Sequence, residues 1–193
     1  MSTERLAVEL VEPGESGAWD AFCATHGGSL YHGFAWMRLV RDVFGHEILP
    51  LAARKPSGEI AGILPLVRLR SVLFGDFLVS MPFFNYGGPL AAHAEGESAL
   101  LAEAGALARR LGVSHAEFRC QRVMSGGLPQ RLDKVAMILE LADDPDSQLA
   151  RFSAKLRSQI RRPAKEGFSC RIGGAELLAD FYRVYAINMR DLG

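Results

Sequence analysis

The segment EILPLAARKPSGEIAGILPLVRLR, residues 47–70, most narrows the folds open to this chain. Two runs dense in Ile, Leu, Val and Ala flank KPSG, a cluster of turn-forming residues. Each run reads as a strand, and so short a connection makes the pair an antiparallel hairpin.

The flanking segments supply the rest of a domain. RLAVELV (5–11) alternates in hydropathy and predicts a strand, which Pro13 and Gly14 break. SGAWDAFCATHG (16–27) predicts a helix capped by Ser16 and closed by Gly27. A second helix over about 34–44 sets Phe34, Met37, Val40 and Phe44 on one face and ends at Gly45. DFLVSM (76–81) predicts a strand, followed by the loop PFFNYGGPL (82–90). An amphipathic helix fills 95–111 and stops at Gly112, and strands are expected at 113–120 and 134–141. This order predicts an α/β domain built on a mixed sheet flanked by helices, spanning residues 1–142. DDPDSQ (143–148) marks a boundary and a new helix, with its acids near the N-terminus. Residues 143–193 then offer a basic helix, a short strand FSCRI (168–172) and a helix at 175–190. That last helix is expected to bury Leu177, Leu178, Phe181, Val184 and Tyr185. A piece this small cannot bury enough surface alone. It is expected to be the opening of a second domain.

The formal net charge is zero, from 22 basic and 22 acidic residues, which argues against a surface that is basic throughout. The charges are nevertheless segregated. Glu140, Asp143, Asp144 and Asp146 precede KLRSQIRRPAKEGF (155–168), where Lys155, Arg157, Arg161, Arg162 and Lys165 face one acid, Glu166. On a helical wheel Leu149, Phe152, Leu156, Ile160 and Pro163 share a face that would pack inward. Arg157, Arg161 and Lys165 recur on the opposite side, flanked by Arg151, Lys155 and Arg162. Pro163 should kink or end the helix, with Gly167 completing its final turn. Like charges four residues apart repel on a solvated helix. The pattern suits contact with phosphates or a carboxylate, and a plain solvated face is the other reading.

Other chemistries find no foothold in the residues. Cys23, Cys120 and Cys170 lie far apart without a CxxC pair, as in a reduced cytoplasmic protein lacking a disulfide framework or zinc site. The five histidines (26, 32, 46, 93, 115) lack metal-ligand spacing. The first residues show no signal peptide, and no apolar run is long enough to span a bilayer. HGGS (26–29) lacks a G-x-S-x-G partner and reads as a turn. RVMSGGLP (122–129) lacks phosphate-loop or dinucleotide spacing, and the pyrophosphate-binding signature of coenzyme A-dependent acetyltransferases is missing.

Three segments, in order, resemble one family. GGSLYHGFAWMRLV (27–40) is similar to an aromatic, tryptophan and basic segment near the N-terminus of Fem-type aminoacyl transferases. FNYGGPLA (84–91) resembles their tyrosine-glycine-glycine-proline loop, and KLRSQIRRPAKEGF the basic helix that opens their second domain. The pattern looks closest to the FemAB-like branch associated with exosortase and PEP-CTERM systems, linked to exopolysaccharide production.

The resemblance implies GNAT-like domains: a first over 1–142 and the incomplete start of a second over 143–193. It also implies transfer of an acyl or aminoacyl group to an amine of a peptidoglycan or exopolysaccharide-related acceptor. No cofactor would be held permanently, and the donor would be aminoacyl-tRNA or acyl-CoA. The expected partners are a phosphorylated acceptor such as a nucleotide-sugar precursor, and tRNA; no DNA, metal or membrane span is expected. Arg38 stands where a basic residue meets the nucleotide-sugar diphosphate in some members, with Arg41 as the fallback. Asn85 and Tyr86, with Lys155, Arg157, Arg161 and Arg162, complete the expected substrate contacts; no catalytic residue is assigned. Tyr31 and Trp36 would line the cleft or belong to the core. Because the family continues beyond the position of Gly193, the chain is expected to be a fragment, inactive without the remainder. The alternative is a non-catalytic module that binds tRNA or a nucleotide sugar through the basic helix.

Overall fold

The computed structural model describes residues 6–124, 127–132, 135 and 137–193. These form two units, Met1–Ala136 and Met137–Gly193.

The hairpin is the spine of the first unit. The strands β1 (Ala7–Leu10), β2 (Glu47–Ile48), β3 (Leu51–Arg54), β4 (Ile60–Leu64), β5 (Leu66–Ser71), β6 (Gly75–Ser80), β7 (Leu90–Ala91) and β8 (Ala116–Glu117) make two four-stranded sheets. Their orders are β1-β3-β4-β7 and β2-β5-β6-β8. Each run of the predicted hairpin is therefore two short strands, divided at Pro50 and Pro65. Proline brings no N–H to a ladder. Even so, the ribbon passes through both. Leu51 pairs with Leu64, Leu49 N–H donates to Leu66 O at 2.8 Å, and Glu47 pairs with Arg68. At the turn, Gly58 N–H donates to Lys55 O and Lys55 N–H to Glu59 O, both at 2.9 Å.

Three helices cover the two faces of this ribbon. α1 (Ser16–Thr25) and α2 (Phe34–Phe44) bring Trp19, Phe22, Phe34, Met37 and Val40 against Ala52, Ile63 and Val67. α3 (Ala94–Leu111) brings Leu100, Ala104 and Leu107 against Leu51, Ala53, Leu64, Leu66 and Leu78. Alternate residues of each strand feed alternate cores, as the two-residue period of a pleated strand requires. Close approach of α3 depends on Gly62, where a β-carbon would lie 3.0 Å from Leu100 Cδ1 and 3.1 Å from Ala91 Cβ. The architecture is the mixed α/β arrangement that the element order predicts.

Several local expectations are corrected. Ser16 does not cap α1: a 3-10 turn, Pro13–Glu15, feeds the helix, and Ser16 is already helical. Phe44 is half exposed because α2 ends beneath it. The strand expected at 113–120 shrinks to Ala116–Glu117, parallel to β6, since Arg119 turns its carbonyl to the Gly87 and Gly88 amides. Residues 135 and 137–141 form no strand and expose Val135, Met137, Ile138, Leu139 and Leu141; Lys134 and Ala136 lie outside the described residues, as do Ser125 and Gly126 of RVMSGGLP and Arg5 of the first expected strand.

The second unit is helical: α4 (Pro145–Arg151), α5 (Ala154–Lys165) and α6 (Leu178–Leu192). As expected, an acid sits at the first N-terminus. Asp144 caps α4 by accepting from Ser147 N–H at 2.8 Å and Ser147 O–H at 2.6 Å, which holds its carboxyl below the usual range. The single helix expected across Phe152 is instead broken there, because Ser153 Oγ accepts from Leu156 N–H and starts α5. Pro163 does not end α5. It sits two residues before the last helical position and removes only the N–H that would have met the Gln159 carbonyl four residues upstream, and Gly167 (φ 81°) completes the turn. FSCRI forms no strand, having no strand beside it within this helical unit. Leu178, Phe181, Val184 and Tyr185 of α6, expected to be buried, are exposed, as are Leu156 and Ile160 of α5. Among the described residues no helix is long and apolar enough to cross a membrane.

Candidate functional site

Strands β6 and β7 run along the same edge of the hairpin, and the chain between them leaves that edge as a loop. Met81 N–H still donates to Pro65 O at 3.2 Å, and pairing resumes at Leu90↔Ile63. Residues 82–89 are thus an excursion in the middle of one sheet edge. Met81 (φ 50°) and Phe83 (φ 70°) enter it in the left-handed region that side chains disfavour. Backbone strain of this kind persists only where its surroundings fix it.

Three anchors fix it here. Arg119 Nη1 donates to Phe84 O at 2.8 Å, Arg119 Nε donates to Glu117 at 2.9 Å, and Arg119 O accepts from the Gly87 and Gly88 amides. His32 Nε2 lies 3.0 Å from Gly88 O. Gly88 itself is pressed so close to Cys120 that a β-carbon would stand 2.6 Å from its sulfur.

His32 belongs to the 3-10 turn Leu30–His32 joining α1 to α2. Its Nδ1 accepts from Ser29 N–H at 3.2 Å, so its proton resides on Nε2 and is donated to Gly88 O. Its carbonyl accepts from Trp19 Nε1 at 2.6 Å, while Asp20 Oδ1 accepts from Phe34 N–H at 2.8 Å and satisfies the start of α2. Tyr31 and Trp36 then close on Phe84, at ring centroid separations of 4.9 and 5.0 Å. The segments 27–40 and 84–91 meet as one interlocked, half-buried aromatic surface.

Burial lowers the His32 pKa below its ordinary 6.5, against the opposing pull of its hydrogen bonds to Gly88 and Ser29. The neutral imidazole is favoured by folding, so its contribution to stability is whole above about pH 6.5 and declines as pH falls from there towards the folded value. Wild-type stability in urea is expected to fall between pH 7 and pH 5. The variant His32→Gln should flatten that slope; an equally steep slope would show that other groups govern it. Both ring nitrogens are engaged, which makes His32 a clasp.

The sequence-predicted contacts are distributed unevenly. Asn85 is exposed and Tyr86 half-buried in the loop beside Phe84. Arg38 is exposed on α2, and at 3.6 residues per turn it lies roughly 160° round the helix from Trp36. It faces Asp42, whose carboxyl is held low first by its hydrogen bond to Arg41. On α5, Arg157 Nη1 donates to Phe152 O at 2.6 Å and Arg162 pairs with Glu166 at 2.7 Å. Lys155, Arg161 and Lys165 are exposed and have no acidic partner among the described residues. Neither the buried Cys23 nor the half-buried Cys120 is primed as a nucleophile: desolvation pushes Cys23 up to about 12 and Cys120 to about 11. No three His, Cys, Asp or Glu side chains gather into a metal-binding group among the described residues.

The sequence reading missed His32, Arg119 and Phe84. The pattern S-x-x-H across a 3-10 turn signals such a clasp only once its distant acceptor, Gly88 O, is known.

No family model matches the chain, and no curated protein does. Among solved structures it overlaps a GNAT family acetyltransferase from Staphylococcus aureus at a TM-score of 0.46 and 13% identity, covering 69% of this chain and 98% of that one. A probable acetyltransferase overlaps at a TM-score of 0.44 and 16% identity, with 72% and 99% covered. A transcriptional regulator from Bacillus halodurans overlaps at 0.39 and 10%, with 88% and 97% covered.

Proposed function

We propose that the chain serves transfer of an acyl or aminoacyl group from an activated carbonyl donor to an amine. The observation that carries this reading is the interlocking of the two segments that resemble Fem-type transferases, through Tyr31, His32, Trp36, Phe84 and Gly88. In such a reaction the amine nitrogen attacks the donor carbonyl carbon. The new C–N bond forms as the C–O bond of an aminoacyl ester, or the C–S bond of an acyl thioester, breaks. The departing oxygen or sulfur leaves with the electron pair, and the amine's proton goes to it or to solvent. The protein's part is to position the two reactants and stabilise the oxyanion. Arg38, Asn85 and Tyr86 on the first unit, and Lys155, Arg157, Arg161 and Arg162 on α5, are the residues assigned to a phosphorylated acceptor. The first unit is read as a GNAT-like domain and the second as the start of another. Binding rather than turnover tests this, because no turnover is expected of residues 1–193 alone: calorimetric titration should show that the chain takes up an amine-bearing nucleotide sugar in preference to the same sugar without its amine. Equal affinity for the two would remove the reading.

The exposed cations of α5, of which Lys155, Arg161 and Lys165 have no acidic partner among the described residues, favour a second reading, a polyanion-binding module without chemistry. The two readings agree on one result. Replacing Arg157, Arg161 and Arg162 with Gln should weaken binding of a nucleotide sugar or tRNA at least tenfold while circular dichroism is unchanged, each charge-assisted contact contributing about 1.5–3 kcal/mol. Unchanged affinity would return α5 to a solvated face. They part on salt: pure polyanion binding weakens steeply with salt without regard to the acceptor's amine.

A further inference from the structure

The β5–β6 hairpin ends in three consecutive large apolar side chains that touch almost nothing. Val72, Leu73 and Phe74 are 104%, 86% and 80% exposed. They form the loop between the last paired residues, Ser71 and Gly75, with Gly75 in the left-handed conformation (φ 89°) that closes a loop of this length. Solvated loop tips are ordinarily polar; this one is apolar across its whole width.

From this tip we infer that the chain docks on a lipid surface, with Val72, Leu73 and Phe74 inserted among the acyl chains of an anionic bilayer. The backbone is prepared for that medium. Ser71 Oγ accepts from Leu73 N–H at 3.2 Å and from Phe74 N–H at 3.3 Å, so two donors that water would otherwise satisfy are met inside the tip. The stem is stiff: six residue pairs join β5 to β6, and Arg68 grips Asp76 through two hydrogen bonds of 2.8 and 2.7 Å.

The charges behind the tip suit headgroups. Arg70 stands two residues back, roughly 7 Å at ~3.3–3.4 Å per residue, which is headgroup depth for an element buried about 5–10 Å. Arg68 Nη2 also reaches Leu111 O, bringing the exposed Arg109 and Arg110 at the end of α3 to the hairpin's base. Against these stand Glu47, which faces Arg68, Asp76, which faces both Arg68 and Arg70, and Glu103, which faces Arg110. The balance is four arginines to three carboxylates, and Arg109 has no acidic partner among the described residues.

Area disfavours a second copy as the occupant. An aromatic side chain buries ~150–250 Å², so three side chains on a convex tip offer on the order of 500 Å², below the ~800 Å² that each partner gives to an interface of standard size.

The test is sedimentation of the full 193-residue chain with vesicles of phosphatidylcholine containing phosphatidylserine. Wild type should pellet with the anionic vesicles. The combined variant Val72→Ser, Leu73→Ser, Phe74→Ser should lose at least tenfold in affinity with an unchanged thermal melt. Arg70→Glu should lose about fivefold or more, near one kcal/mol for each basic residue at the surface. In a Phe74→Trp variant, indole emission should shift to the blue on adding vesicles. That signal is local to the tip, and so separates it from the exposed apolar face of α6. Equal pelleting by the triple-serine variant, or an unshifted emission from the Phe74→Trp variant, would overturn the inference. So would self-association that the triple-serine variant abolishes without any vesicle binding by wild type, since the tip would then serve a second copy.

Discussion

Trp19→Ala is expected to destabilise the first unit by about 3–5 kcal/mol, the usual cost of emptying a fully buried aromatic site. Two losses combine in that figure. The ring is completely buried and packs edge-on against Phe34 at 5.7 Å. Its N–H is also the short donor to His32 O at 2.6 Å, the carbonyl of the residue that clasps Gly88. Trp19→Phe separates the two. It keeps most of the volume and deletes the donor, leaving only the Cys23 thiol at 3.6 Å to face that carbonyl. An intermediate loss of about 1–2 kcal/mol is expected for it, near the net worth of one partly buried hydrogen bond. Urea unfolding at constant m-value measures both. A loss below about 1 kcal/mol for Trp19→Ala would mean that the α1–α2 connection is held by something other than this ring.

Helices α1, α2 and α3 were legible because periodicity and terminal glycines agree. Gly45 and Gly112 take the left-handed conformation just past the ends that hydrophobic spacing predicts. The hairpin was legible for the same reason, through its aliphatic runs and KPSG. What stayed hidden was long-range. Nothing local says that Pro50 and Pro65 mark a change of neighbouring strands, because that change is made by β6 and β7, many residues away. Nothing local says that Ser29, His32 and Arg119 serve residues 84–88, at sequence separations of up to 56. The three segments were visible as motifs, and Tyr31 and Trp36 as core or cleft. Their joint use of Phe84 required the fold. The second unit misled for the opposite reason: helical periodicity promised buried faces on α5 and α6, but periodicity states only which side chains share a face, not that anything covers it.

Hydrogen exchange should therefore divide the chain sharply. Residues 137–193 contain no fully buried side chain, and α5 and α6 run 12 and 15 residues. Helices of about 12–15 residues are marginal in water unless tertiary packing supports an apolar face. Pro163 removes one more hydrogen bond from α5, and Leu178, Phe181 and Val184 of α6 each remain more than 60% exposed. Amides of α4, α5 and α6 should be protected by no more than roughly tenfold over an unstructured peptide. Those of β3, β4, β5 and α3 sit on two cores and should open only with the whole unit. A domain of ordinary stability, about 5 kcal/mol or more, protects them by at least a factor on the order of 10³. Mass spectrometry of peptides from 51–71 and 178–192 after brief deuteration reads the contrast directly. Protection of α6 on a par with β4 would show its apolar face to be covered in solution. Its dependence on protein concentration would then tell a second copy from a contact within the chain.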